Sequence, residues 1–156
     1  MRRSKIALTL GLLVFTAAAA LAAEGMDKKP EETMPAKEPD HIKVQHILVG
    51  FQGSVPGKGI TRSKEEAQKL ASEILERARK GEEFGALVKQ HTDDAYPGIY
   101  GMSNTNVPPA QGEYARNKMV PAFGDTGFPL KVGEIGIADF NPQKSPYGWH
   151  IVKRIE

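Results

Sequence analysis

Cysteine is absent from all 156 residues. That excludes a disulfide framework, a thiolate metal site and a lipid-modified cysteine, so any folded part must be held by its core alone. No surplus of one charge sign survives scrutiny either. The formal charge of +2 comes from 21 basic and 19 acidic residues, and three of the basic ones, Arg2, Arg3 and Lys5, crowd the N-terminus. Without them 18 basic residues face 19 acidic ones, and no basic stripe points to nucleic acid as a partner. Internal repeats are missing. No G-x-S-x-G occurs, so there is no nucleophile elbow. Gly98-Ile99-Tyr100-Gly101 is too short and too aromatic to cradle a phosphate. Metal binding needs three or four converging ligands, usually with close sequence pairs. The only close pair is His41 and His46, and their odd offset puts them on opposite faces of a strand. No metal and no cofactor is therefore expected.

What is present begins with a tripartite N-terminus. Arg2, Arg3 and Lys5 form a positive stretch, Ile6 to Ala20 carries no charge, and Ala20-Leu21-Ala22 supplies an A-x-A cleavage pattern. Residues 1–23 thus read as a secretory signal peptide. The alternative is an uncleaved anchor, although the apolar run from Ile6 to Ala23 is at the short end for a spanning helix. Residues 24–40 read as a disordered linker. They are rich in lysine, glutamate and proline and lack apolar periodicity, so they bury too little to offset their ordering entropy.

The length and 40% hydrophobic content suit one core, and a single domain is expected over residues 41–156. His41 to Val49 alternates and then turns apolar, which predicts a strand with a well-buried end. Gly50 to Arg62 is a glycine-rich loop. Ser63-Lys64-Glu65-Glu66 matches a capping box, and Ala67, Leu70, Ala71, Ile74, Leu75 and Ala78 follow at helical spacing until Gly81. Phe84, Leu87 and Val88 mark a second, shorter helix. Pro97 to Gln111 is mostly irregular, with a short strand at Tyr100 to Ser103. Pro121 to Leu130 reads as a helix, and Glu134 to Phe140 and Trp149 to Ile155 as strands. This order is α+β rather than a βαβ repeat.

Residue type alone gives bland readings of the candidate site residues. His46 and His150, each in a predicted strand, read as hydrogen-bonded core residues. Asp93-Asp94 reads as a solvated turn, and Met119 with Phe123, four apart, as core.

The whole series changes that. His46-Ile47-Leu48-Val49, the helix from Ser63, Gly81-Glu82-Glu83-Phe84, His91-Thr92-Asp93-Asp94, Gly98-Ile99-Tyr100-Gly101, Met119-Val120-Pro121-Ala122-Phe123, Lys131-Val132-Gly133-Glu134 and Ser145-Pro146-Tyr147-Gly148-Trp149-His150-Ile151-Val152 resemble, in order and spacing, the parvulin-type prolyl isomerases. The resemblance implies a four-stranded antiparallel sheet wrapped by about four helices. It implies that His46, Asp94 and His150 form the catalytic set, and that Tyr100, Met119, Phe123 and Ser145 contact substrate. Met119 and Phe123 would then serve the substrate more than the fold. Two departures stand out. Gly98-Ile99-Tyr100-Gly101 replaces a frequent Gly-Asp-Leu-Gly, and Val120 replaces a frequently polar residue at the pocket edge.

The implied activity is acceleration of X-Pro rotation in unfolded or exported polypeptides outside the cytoplasm, by a monomer not inserted in a membrane after cleavage. The loop from Phe51 to Arg62 offers only Lys58 and Arg62, so no phosphate before proline is required. The alternative is an extracytoplasmic chaperone that binds peptides in the same groove without catalysis. N-terminal sequencing of the protein from fractionated cells should find a mature chain beginning at Ala23 or Glu24. An intact Met1 in the membrane fraction would establish an anchor instead.

Overall fold

The computed structural model describes residues 37–156. The signal peptide and most of the linker inferred above lie outside the described residues. The rest of that linker does not behave as one. Glu38 accepts from Arg116 Nη1 at 2.6 Å and from Asn104 Nδ2 at 3.1 Å, and the Pro39 carbonyl also accepts from Asn104. A part-buried arginine thus ties the chain down three residues earlier than expected.

Five strands form one sheet in the order β3-β2-β1-β5-β4. They are β1 (His41–Val49), β2 (Ile99–Ser103), β3 (Glu113–Ala115), β4 (Ile135–Ala138) and β5 (Trp149–Arg154). The four-stranded antiparallel sheet is present as β2-β1-β5-β4. The fifth strand, β3, is a departure and pairs parallel to β2. Its three residues show no alternation, so nothing in the sequence marked them. Three α-helices occur among the described residues, α1 (Lys64–Arg79), α2 (Phe84–His91) and α3 (Pro121–Gly127), together with a 3-10 turn at Arg116–Lys118.

The period-two rule explains how the central strands serve two layers. Ile47 and Val49 of β1, with Trp149 and Ile151 of β5, face α1 and α2 and pack on Ala67, Ala71, Ile74, Phe84, Leu87 and Val88. The small alanines on α1 let that helix lie close to the sheet. Ile42 and Val44 of β1, with Val152 of β5 and Met102 of β2, face the other way and pack on Phe123 and Phe128. His46 and His150 occupy this second face.

Local signals set the helix ends. Ser63 and Glu66 form the capping box: Glu66 N donates to Ser63 Oγ at 3.1 Å, and Ser63 N donates to Glu66 Oε2 at 2.6 Å. α3 starts at Pro121, whose missing N–H costs nothing at the first helical position. It stops at Gly127 rather than Leu130, because Pro129 cannot continue a helix.

Candidate active site

Three close approaches build the site. The register opposes Leu48 to His150 and His46 to Val152, so the two histidines are diagonal neighbours on one face of β1 and β5. Val44 opposes Tyr100, which brings that ring to the same face. Gly98 lets β2 start directly against β1, where His46 N donates to the Gly98 carbonyl at 2.8 Å. A side chain at Gly98, where φ is 68°, would strike the His46 carbonyl. Gly148, at φ 138°, likewise packs on the Val49 carbonyl and delivers Tyr147 and His150 to either side of the turn.

Over this face lies a cleft of about 310 Å³. His46 and His150 form its base. Tyr100, Met119, Val120 and Phe123 make one wall, Leu48, Val55, Pro56 and Tyr147 the other, and Asp94 sits among them. The imidazoles stack, with centroids 5.4 Å apart and planes 13° from parallel. Phe123 stands edge-on to His46 at 4.9 Å, and Tyr100 does so at 5.2 Å.

A hydrogen-bonded chain runs across the base. Tyr100 Oη donates to Asp94 Oδ2 at 2.8 Å, and His46 Nε2 donates to the same oxygen at 2.9 Å. His46 Nδ1 meets His150 Nδ1 at 3.3 Å, a contact that needs a hydrogen on one nitrogen and a lone pair on the other. His150 Nε2 is then left buried with no partner among the described residues. The hydrogen bonds from His46 and Tyr100 hold the Asp94 carboxyl far below the usual carboxylate range, against the opposing effect of burial. Burial first, and the neighbouring His46 second, push His150 down to about 3, so it is neutral at physiological pH. Burial and the bond to Asp94 push the Tyr100 phenol up to about 12.

Six of the seven inferred site residues, His46, Asp94, His150, Tyr100, Met119 and Phe123, therefore converge on one cleft. Ser145 does not. It is fully buried, its Oγ donates to the Gly148 carbonyl at 2.8 Å, and it shapes the turn before β5 instead of meeting a substrate. Phe123 needs a second correction. It is 2% exposed and packed among Ile42, Val44, Met102, Phe128 and Val152, so it serves the fold as much as the cleft. Helix α3 is too short to carry a pocket residue without rooting it in the core. Sequence reasoning gave no role to the opposite wall. Val55-Pro56, an apolar pair within a glycine-rich loop, and Tyr147 beside the Gly148 turn were its signals.

The loop bearing Val55 and Pro56 is clamped from below. Arg62 donates to Asp93 and to the Gly50 carbonyl, Gly50 N donates to Asp93 Oδ2, and Ser54 Oγ donates to the Tyr147 carbonyl at 2.9 Å. Asp93 and Asp94, read as one solvated turn, thus divide the work: one anchors this loop and the other enters the cleft.

Among the described residues, an α+β sheet carries an apolar cleft over a pair of buried histidines. The chain belongs to the parvulin family: residues 29–156 match the PPIC-type PPIase domain. It is 30% identical over 114 residues to Chaperone SurA of Pseudomonas fluorescens, a match covering 73% of this chain and 22% of that protein. It is 37% identical over 86 residues to Foldase protein PrsA of Caldanaerobacter subterraneus, covering 55% of this chain and 24% of that protein. The chain thus spans less than a quarter of the length of these relatives. The solution structure of TbPIN1 superposes with a TM-score of 0.57 at 25% identity, covering 75% of this chain and 98% of that one.

Two measurements check this site. Phe123→Ala should cost about 3–5 kcal/mol of stability by leaving a core cavity. Met119→Ala, at a partly buried position on the cleft wall, should cost clearly less. Equal urea midpoints for the two variants would contradict the division. The pH dependence follows from His150, whose folded value lies below its ordinary 6.5. Below pH 6.5 the unfolded chain binds a proton that the folded chain refuses, so stability should fall as pH drops from 6.5 toward 3. Asp94, depressed on folding, should add a further loss below about pH 4. His150→Gln should flatten the urea-midpoint profile between pH 6.5 and 4.5; an unchanged slope would contradict a buried neutral His150.

Proposed function

We propose that this chain is an exported peptidyl-prolyl cis/trans isomerase that turns X-Pro bonds in unfolded polypeptides without needing a phosphate before proline. The carrying observation is the apolar cleft of Met119, Phe123 and Tyr100 set directly over the His46–His150 pair and the Asp94 carboxylate. Rotation about an amide faces a barrier of ~18–20 kcal/mol, and uncatalysed X-Pro exchange takes tens to hundreds of seconds. No bond has to break. Binding the twisted amide better than either planar form is enough, and ~5 kcal/mol of such preference gives roughly four orders of magnitude. A proline ring seated among Met119, Phe123 and Tyr100 leaves water, which disfavours the charge-separated resonance form that stiffens the bond. An Asp94 carboxylate facing the X-Pro carbonyl oxygen works in the same direction, because it repels the negative charge that resonance puts there. His46 holds that carboxylate, and His150 supports His46 from behind.

Independence from phosphate is supported by charge placement. Arg62 is committed to Asp93 and Gly50 beneath its loop, and Lys58 is exposed and does not line the cleft. The outer wall is Val55, Pro56 and Tyr147, where a dianion would lose hydration without gaining a converging set of donors. Export is supported by the positive, apolar and A-x-A segments at the N-terminus. Among the described residues no helix is long and apolar enough to cross a membrane. Clients with exposed prolines, met outside the cytoplasm by a monomer, follow from the same reading. One observation favours a second reading, peptide binding as a chaperone without catalysis: the relatives bear the names chaperone and foldase.

A refolding assay limited by a proline bond, with a peptide series, tests the proposal. Ala-Pro and Ser-Pro peptides should turn over at least as well as phospho-Ser-Pro. Met119→Ala should lower kcat/KM by about tenfold, the effect of ~1.4 kcal/mol at the transition state. Strong selection for the phosphopeptide would overturn the phosphate claim. Suppressed aggregation without faster refolding would establish the chaperone.

A further inference from the structure

We propose that Tyr100 is a positioning residue for the Asp94 carboxylate as well as a wall of the proline cleft, so that one side chain links ring binding to the charge facing the amide. The inference rests on the role given to Asp94 in the proposed isomerase reaction. The family pattern places leucine at this position, and leucine would fill the wall equally well. What tyrosine adds is the hydroxyl, and the hydroxyl has a definite partner. Tyr100 Oη and His46 Nε2 donate to one oxygen, Asp94 Oδ2, at 2.8 and 2.9 Å. Those two donors come from neighbouring strands and approach a carboxylate carried on the turn after α2.

The backbone of that turn is already fixed. Asp93 N donates to the Leu48 carbonyl at 2.8 Å, and Asp94 N donates to Thr92 Oγ1 at 3.2 Å. The side chain of Asp94 is not fixed by these bonds, and it remains partly open to water. His46 alone would hold Oδ2 at one point and leave the carboxylate free to swing about it. A second donor sets its plane. Tyr100 suits this task because packing fixes its own ring, edge-on to His46 at 5.2 Å and to Phe123 at 5.9 Å, with Tyr114 6.0 Å away on the outer side. The phenol therefore loses little further freedom in making the bond.

The titratable groups around the pair are few. His46 from β1 and Tyr100 from β2 touch Asp94; Tyr114 from β3 lies beside Tyr100, and His150 from β5 lies beyond His46. Among the described residues no lysine or arginine lines the cleft. When a proline ring covers Tyr100, water leaves the phenol–carboxylate bond, and a charge-assisted hydrogen bond strengthens as its surroundings dry. Occupancy of the cleft then tightens the carboxylate at the moment the amide lies against it.

The test compares wild type with Tyr100→Phe, Tyr100→Leu and Asp94→Asn in the full chain. The readouts are Ala-Pro turnover, peptide affinity by NMR titration, and carbon-13 titration of the Asp94 carboxyl. Tyr100→Phe, which keeps the ring, should retain affinity within about twofold and lose about tenfold in turnover, the effect of one hydrogen bond to a charged group. Its Asp94 should titrate at higher pH than in wild type, where both donors hold it ionised. Tyr100→Leu, which also fills the wall but lacks the hydroxyl, should lose turnover to a similar degree and keep affinity within about twofold. Wild-type turnover with an unshifted Asp94 in Tyr100→Phe would overturn the inference. Equal losses of affinity and turnover with Asp94 unmoved would also overturn it, since the hydroxyl would then be touching the peptide itself. Wild-type turnover in Asp94→Asn would instead remove the role given to Asp94, whereas an impaired Asp94→Asn beside an unaffected Tyr100→Phe would leave that role standing and remove only the one assigned to Tyr100.

Discussion

The lateral pairing of β1 with β5 sets everything at the cleft. With Leu48 opposite His150, the side chains of His46 and His150 are forced into one stack, and each is at most 4% exposed. Two buried imidazoles are costly unless their polar atoms find partners. The fold answers with a carboxylate at one end of the stack and leaves His150 Nε2 unanswered at the other. A one-residue slip of either strand would turn one histidine toward α1 and α2 and break the stack. The register is therefore under two demands that agree: the apolar residues need their two cores, and the histidines need each other.

The same economy runs through the surrounding elements. Phe123 closes the core beneath α3 and presents an edge to the cleft. Asp93 clamps the loop that carries Val55 and Pro56, and its neighbour Asp94 enters the cleft. Ser145 holds the turn from which Tyr147 and His150 diverge. Little of the site rests on freely moving loop, which suits the proposed task of holding an amide away from planarity. Because fold and site share side chains, loss of activity in a variant has to be read beside its stability.

Much of this was legible in the sequence. Alternation marked β1, the Ser63–Glu66 box marked the start of α1, and Pro121 the start of α3. These signals work because each rests on a local rule of period or capping. β3 was not legible: three residues paired in parallel to a short strand carry no period. Residue order placed His46, Asp94, Tyr100, Met119, Phe123 and His150 in one site through the family pattern, and the cleft contains all six. It could not separate Ser145, which has the right neighbours in sequence but a carbonyl as its partner in space. Nor could it show that Tyr100 and His46 share one carboxylate oxygen, since that depends on the register between β1 and β2 and not on either motif alone.

The central claim is that the cleft twists a bound proline amide and does not merely hold it. Two-dimensional exchange NMR of an Ala-Pro peptide with substoichiometric protein, together with methyl shifts of Met119, addresses binding and rotation in one sample. The account predicts cis–trans cross peaks that appear only when protein is added, alongside a shift of the Met119 methyl. A shifted Met119 methyl with no exchange between the cis and trans signals would contradict it.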